Sequence, residues 1–141
     1  MSLKKSDKKD KKGKKDSFIA TKSVKILKQE IFDHYLSGQD VALVMFYDPK
    51  NAQSQLAKPH FVKAAETVKK HNVAFAAVNC AIEDKLCRAE EIRDLPTLKL
   101  YSRGRYLRMQ NPMSDYIQLL KLIDSMPALP PKPVKTVQFK I

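Results

Sequence analysis

Cysteine and histidine, which supply most redox thiols and many metal ligands, are few in this 141-residue sequence. The chain contains two cysteines, Cys80 and Cys87, and three histidines, His34, His60 and His71. Six residues separate the cysteines, whereas a redox dithiol has a gap of two residues. The histidines show no ligand spacing relative to the cysteines. The sequence therefore predicts neither a metal site nor a bound cofactor.

Ser54 is a candidate nucleophile, because it lies where an apolar strand gives way to a helical pattern. A serine nucleophile needs a base held within hydrogen-bond reach. His60 lies six residues further along the same predicted helix, and nothing in the sequence holds the two side chains together. The sequence therefore disfavours a hydrolase.

The segments that position these residues alternate between strand and helix. Apolar runs and alternating patterns predict strands at 24–26, 41–46, 73–78, 97–101 and 106–109. Helical stripes predict helices at 28–36, 56–71, 85–92 and around 116–123. The order β-α-β-α-β-α-β-β-α predicts an α/β fold with a mixed central sheet flanked by helices.

Four residues mark the expected ends of these elements. Gly38 follows the first helix, where a C-cap prefers glycine, and Ser114 is placed to cap the last helix. Pro59 lies inside the second helical pattern and should either kink that helix or mark its effective start. Gly104 falls in the turn of a hairpin that joins the last two strands.

The stretch 46–59 carries the most specific pattern of the chain. An apolar strand ends in Phe-Tyr-x-Pro at 46–49, and a second proline, Pro59, closes the stretch. Further along, 76–80 reads Ala-Ala-Val-Asn-Cys, and Leu95-Pro96-Thr97 opens the fourth strand. Taken together over about 24–126, these motifs resemble the a-type domains of the protein disulfide-isomerase family. The resemblance implies a thioredoxin-like fold and a secretory setting, the lumen of the endoplasmic reticulum.

The departures from the family pattern concern its chemistry. Where the family has Cys-x-x-Cys, this sequence has Asn51-Ala52-Gln53-Ser54, and redox chemistry there needs a thiolate at the helix N-terminus. The usual tryptophan is Lys50, and a buried Glu–Lys pair of many active members is replaced by Met45 and Ala77. The sequence therefore predicts a domain without redox catalysis, with any isomerase activity in other domains of a longer protein.

The resemblance also implies a structural disulfide between Cys80 and Cys87, because several family domains carry a pair at these positions. The chain-entropy relation gives such a short loop about 2–3 kcal/mol of stabilisation. From the residues alone, two alternatives stay open, namely free buried thiols and a redox or metal function.

In this family, the active turn and the loop at the cis-proline form a shallow groove that binds extended chains through main-chain hydrogen bonds. The resemblance therefore implies a binding site for unfolded chains or a partner protein. Its residues are Lys50, Asn51, Gln53, Ser54, Leu95 and Pro96. Two alternatives stay open. One is a structural spacer beside catalytic domains. The other is an anion-binding module that uses the Lys-rich tail with Arg103, Arg105 and Arg108.

Composition divides the chain into three parts. The formal net charge is +12, and residues 1–16 supply +5 of it through eight Lys and three Asp. We expect a disordered Lys-rich tail at 1–17, a domain at 18–126, and a Pro-rich linker at 127–141 whose last residues alternate like the first strand of a next domain. The tail has no aromatic residue for base stacking, which argues against specific nucleic-acid binding.

Targeting signals are also absent from the sequence as it stands. No stretch approaches the roughly 18 apolar residues of a membrane span. The charged N-terminus has no apolar segment after it, so no signal peptide is predicted. We therefore expect an excised domain, monomeric on its own, whose targeting signals lie outside this chain.

Overall fold

A computed structural model of the chain describes residue 19 and residues 21–68 and 70–126. It confirms the predicted order of elements. The strands are β1 (Val24–Ile26), β2 (Val41–Tyr47), β3 (Val73–Asn79), β4 (Thr97–Ser102) and β5 (Arg105–Gln110). The helices are α1 (Gln29–Ser37), α2 (Ala52–Thr67), α3 (Asp84–Ala89) and α4 (Tyr116–Ser125). The predicted tail and Pro-rich linker lie outside the described residues.

The five strands form one mixed sheet in the order β1-β3-β2-β4-β5. β1 and β2 run parallel to β3, whereas β4 runs antiparallel to β2, and β5 runs antiparallel to β4. β2 lies at the centre, and every one of its seven residues is buried. The continuous apolar run of β2 is explained by this position, because both of its faces are covered.

The side chains of β2 alternate between two cores, one on each face of the sheet. Val41, Leu43, Met45 and Tyr47 share the first core with side chains of α2 and α4. Ala42, Val44 and Phe46 share the second core with side chains of α1 and α3. The predicted α/β architecture, a mixed sheet flanked by helices, is confirmed.

The predicted bounds of α2 are wrong at both ends. The helix begins at Ala52 rather than Leu56, because Asn51 caps it, and it ends at Thr67 because Val68 is extended. Pro59 lies inside the helix and does not mark its start.

Two further predictions near helix ends need correction. α3 ends at Ala89 rather than residue 92, and Glu91 has a left-handed backbone with φ 59°. The N-cap of α4 is Asp115 rather than Ser114. The Asp115 carboxylate accepts a hydrogen bond from the Gln118 N–H at 2.9 Å, and the Gln118 side chain accepts one from the Asp115 N–H at 2.9 Å. This reciprocal pair is a capping box, which a serine one residue earlier cannot form.

Candidate functional site

Three strand ends meet at one edge of the sheet. β2 and β3 end side by side, with Tyr47 opposite Asn79, and the Cys80 N–H donates to the Tyr47 carbonyl at 2.7 Å. β4 runs the other way and begins at the same edge, because Thr97 lies opposite Phe46. The segment after β2 and the loop before β4 are therefore neighbours. The register brings together the two halves of the binding site that the sequence predicted.

The chain leaves β2 through a tight turn that leads directly into α2. The Lys50 N–H donates to the Asp48 carboxylate at 2.9 Å, and the Asn51 N–H donates to the Asp48 carbonyl at 3.0 Å. Asn51 then caps the helix, since its side-chain oxygen accepts the Ser54 N–H at 2.7 Å. Hydrogen bonds of main-chain, carboxylate and carboxamide groups hold this turn in place, so the turn does not depend on sulfur.

Ser54 has a structural role in this turn. Its side chain is fully buried, and its hydroxyl oxygen accepts the Asp48 N–H at 3.3 Å. His60 is exposed on the same helix, and the described part of the chain contains no hydrogen bond between the two side chains. Ser54 thus ties the first turn of α2 to the end of β2, and His60 does not act as its base.

The outer surface of the turn is open. Lys50, Ala52 and Gln53 are exposed, and Asn51 is partly exposed. The first turn of α2 contains no acidic side chain. Of the predicted binding residues in this turn, only Ser54 is withdrawn from the surface.

The loop before β4 is anchored by side chains of that strand. The Leu95–Pro96 peptide bond is cis, Pro96 is buried, and Leu95 is partly exposed. The Thr97 hydroxyl donates to the Asp94 carbonyl at 2.5 Å. The buried Lys99 ammonium donates to the Glu90 carbonyl further back in the loop. These bonds hold the loop against the sheet beside the α2 turn.

Tyr101 adds a second anchor for the same loop. Its hydroxyl donates to the Glu90 carboxylate at 2.6 Å, and its ring contacts Phe32 edge-on at 5.9 Å between centroids. Burial raises the pKa of Tyr101 well above its ordinary value, and the hydrogen bond to Glu90 raises it further. Tyr101 is therefore a neutral hydrogen-bond donor at neutral pH.

The two cysteines are joined in a disulfide. Cys80 and Cys87 are seven positions apart with Cα atoms 5.8 Å apart, and the bond links the end of β3 to α3. Both cysteines of the chain are used in this way, so neither is present as a thiol. Among the described residues, no group of three or more His, Cys, Asp or Glu side chains is arranged to hold a metal ion.

Removing this disulfide should destabilise the domain. We expect the Cys80→Ser, Cys87→Ser double variant to lose about 2–3 kcal/mol of unfolding free energy, because the reduced chain regains loop entropy when it unfolds. Urea unfolding followed by circular dichroism measures the loss. Wild-type protein unfolded with a reductant should lose the same amount, and unchanged midpoints in both samples would contradict the prediction.

The cap at Asn51 should also contribute measurably to stability. An Asn51→Ala variant leaves the Ser54 N–H without its acceptor, and we expect a loss of about 1 kcal/mol. Gln53→Ala is a matched control, because Gln53 is exposed in the same helical turn. Urea midpoints compare the two. An equal, small loss in both variants would show that the cap has no energetic role.

An exposed apolar side chain, Ile82, was missed by the sequence analysis. It lies in the turn after β3, where its N–H donates to the Asn79 carbonyl at 3.1 Å, and its side chain is 68% exposed. The signal was present in the sequence, since Ile82 is an apolar residue directly before Glu83 and Asp84. It adds an apolar contact to the edge where β2 and β3 end.

The arginines of the anion-binding hypothesis lie at the β4–β5 hairpin. The Arg103 side chain forms an ion pair with Asp40 at 3.2 Å. The main-chain N–H of Arg103 donates to the Gln39 carbonyl at 2.8 Å. Arg105 and Arg108 lie on β5 and are exposed. Arg103 therefore has a structural role, and only the other two arginines have open side chains.

Comparison with known proteins adds the family context. A family model described as Thioredoxin matches residues 23–125. The chain is similar to the protein disulfide-isomerase EUG1 of Saccharomyces cerevisiae, with 31% identity over 80 residues, which is 57% of this chain and 16% of that protein. It is also similar to the Endoplasmic reticulum resident protein 44 of Mus musculus, with 31% identity over 113 residues, 72% of this chain and 28% of that protein.

The same relationship holds among solved structures. A crystal structure of human ERp44, form II, superimposes with a TM-score of 0.70 at 28% identity, covering 78% of this chain and 32% of that chain. The chain thus spans less than a third of the length of each of these relatives. Within its described part, no helix is both long and apolar enough to cross a membrane.

Proposed function

The chain belongs to the thioredoxin family, and from that premise we propose that it is a redox-inactive domain that binds unfolded chains or a partner protein. The binding site is the edge formed by the α2 turn and the Leu95–Pro96 loop. We place the domain at 18–126 of a longer protein in the lumen of the endoplasmic reticulum, as a monomer. The similarity to the protein disulfide-isomerases and to the endoplasmic reticulum resident protein supports this location.

Redox inactivity follows from what occupies the α2 turn. Residues 51–54 are Asn-Ala-Gln-Ser, so the turn has no thiol to attack a disulfide. The chain's two cysteines lie directly after β3 and in α3, where they are bonded to each other. The position of the family's buried glutamate is taken by Met45, which is fully buried in the first core. A methionine side chain has no ionisable group that could move a proton.

The observation that carries the binding proposal is the open main chain of Leu95. Among the described residues, no hydrogen bond uses the N–H or the carbonyl of Leu95, although the loop on both sides is anchored. Leu95 is partly exposed and lies beside the α2 turn. A donor and an acceptor held by a fixed loop can pair with the main chain of an extended peptide.

Apolar contact would supply much of the affinity. Ile82 lies at the same edge of the sheet, exposed where a bound side chain can cover it. Burying an aliphatic side chain of this size is worth about 1.5 kcal/mol or more. Main-chain pairing with an apolar contact selects unfolded segments over folded surfaces, because folded proteins keep both features covered.

An NMR titration of the labelled domain with an unfolded apolar peptide tests the proposal. We expect saturable shifts at 50–55, 82 and 92–97, with little change elsewhere. An absence of shifts in these segments would overturn the binding proposal and favour a structural spacer. Shifts confined to the Lys-rich tail would favour the anion-binding alternative.

A pair of variants sharpens the test. Ile82→Ser should weaken peptide binding about tenfold, the equivalent of about 1.4 kcal/mol. Ile117→Ser is the matched control, because Ile117 is an exposed isoleucine on α4. Equal affinity of both variants and the wild type would remove Ile82 from the site.

A further inference from the structure

β5 is an open edge of the sheet with an unusual surface. It is the last strand in the sheet order, and among the described residues it pairs with β4 alone. Five of its six residues are exposed, and the sixth is partly exposed. Exposed edges carry unpaired main-chain donors and acceptors, which proteins usually protect with charge or a cover.

The register gives the two faces of β5 different chemistry. Tyr106 lies opposite Tyr101, and Met109 lies opposite Lys99. Because alternate residues of β4 share a face and the register is irregular, Tyr106 and Met109 lie on one face of β5. Arg105 lies opposite Ser102, and Arg108 lies opposite Leu100, which puts the arginines on the other face. The strand therefore has an apolar face and a basic face.

The apolar face is large for an exposed strand. Tyr106 is 51% exposed and Met109 is 57% exposed. Leu107, which lies between them without a cross-strand partner in the register, is 46% exposed. Tyr106 and Met109 also form one wall of a groove of about 460 Å³ between β5 and the loop before β4. On the floor of this groove, the Lys99 ammonium lies 4.9 Å from the centre of the Tyr106 ring. Glu90, Glu91, Arg93 and Asp94 line the opposite side of this groove, so an apolar side chain would contact Tyr106 and Met109 at the β5 wall alone.

The arginines on the basic face differ in their ion pairs from the arginine in the adjoining turn. Among the described residues, neither Arg105 nor Arg108 makes an ion pair, whereas Arg103 in the adjoining turn is paired with Asp40. Both free arginines are exposed at the edge of the sheet. They are placed to meet carboxylates on one face of an added strand.

We propose that β5 is a docking edge for an extended segment of a partner protein that alternates apolar and acidic residues. The segment adds a sixth strand to the sheet through main-chain hydrogen bonds. Its apolar side chains cover Tyr106 and Met109, and its carboxylates pair with Arg105 and Arg108. This site is separate from the edge at the α2 turn, and it does not depend on the function proposed there.

Charge favours such a partner over a second copy of this chain. The chain has a formal net charge of +12, and a dimer through β5 would bring the arginines of two such chains to one seam. Like charges brought close together oppose association, whereas the carboxylates of an acidic strand would be attracted to the arginines at the same positions. An acidic, apolar segment fits both faces of β5 at once.

NMR and binding measurements on the full chain test this. The probe is a short peptide in which Glu alternates with Val or Phe, compared with the same peptide carrying Lys in place of Glu. We expect saturable shifts in 105–110, slower amide exchange along β5, weaker binding as salt rises, and no measurable binding of the Lys peptide. Equal binding of the two peptides would overturn the proposal.

A charge-reversal pair provides the matched control. Arg108→Glu on β5 should weaken binding about tenfold, through loss of an attraction and gain of a repulsion. Lys25→Glu makes the same kind of change at an exposed position of β1, the opposite edge strand, and should leave the affinity unchanged. An equal loss of peptide affinity in both variants would show that the affinity depends only on the net charge of the chain, and it would overturn the assignment to β5.

Three other outcomes would also overturn the proposal. Peptide shifts at 50–55 and 92–97 in place of β5 would assign the peptide to the other site. Self-association through β5 in sedimentation measurements would make a second copy the occupant. If the outward amides of β5 are already protected in the free chain, another segment of the chain covers this edge.

Discussion

The Asn51→Cys, Ser54→Cys double variant is expected to convert a turn without cysteines into a redox dithiol. The two positions are already held at the start of α2, one as its cap and one buried in its first turn. A cysteine at a helix N-terminus has a lowered pKa, because the helix dipole and open N–H groups favour the thiolate. With dithiothreitol as the reductant, the variant should reduce insulin disulfides well above the uncatalysed rate, and the wild type should not.

The single variant Ser54→Cys is the control for this gain. It has one sulfur in the turn and cannot close a disulfide there, so it should remain at the uncatalysed rate. Activity of the wild-type chain would show that Cys80 and Cys87 exchange with substrates, which would contradict redox inactivity. An inert double variant with a native circular dichroism spectrum would show that the turn no longer has the geometry that thiol chemistry needs.

The fold could be predicted from the sequence because its core has a simple pattern. β2 is apolar throughout since it is central, and β3 pairs with it over seven residues. Both runs are too short for helices of a globular core and are rich in β-branched or small residues. The apolar stripes of α1 and α4 predict these two helices equally well, because each helix buries one face against the central sheet.

The ends of helices were harder to predict, since one polar residue decides each of them. Asn51 was interpreted as part of a vanished active site, yet its side chain is the acceptor that starts α2. Ser114 and Asp115 are adjacent residues that can both cap a helix, and the reciprocal bond with Gln118 selects Asp115. Such choices depend on side-chain geometry that hydrophobic periodicity does not contain.

The site could be assembled from the sequence only through the family resemblance. No periodicity shows that Thr97 lies opposite Phe46, which is the contact that places the loop beside the α2 turn. The structure shows one further feature that residue patterns did not indicate, the two-faced surface of β5. It also shows the exposed Ile82, whose signal in the sequence was overlooked. The two faces of β5 depend on an irregularity in its register, which shifts Tyr106 and Met109 onto one side.

Phe61→Ala should be the most destabilising single substitution among those considered for this domain. Phe61 is 1% exposed at the middle of α2, and its ring contacts Phe75 of β3 at 5.4 Å between centroids. Truncation leaves a cavity between the helix and the sheet, and such a change costs about 3–5 kcal/mol. The free energy of unfolding of a domain of this size is about 5–15 kcal/mol in total, so the variant should be partly or largely unfolded at 37 °C.

Urea unfolding of Phe61→Ala against Leu56→Ala isolates the effect of the core contact. Leu56 lies in the same helix and is 60% exposed, so its truncation should change the unfolding free energy by less than about 0.5 kcal/mol. A loss below about 1 kcal/mol for Phe61→Ala would mean that α2 repacks on the sheet. Because α2 begins at the Asn51 turn, a helix that can repack would not hold that turn beside the Leu95–Pro96 loop. A large loss would instead show that the first core fixes the position of the proposed binding edge.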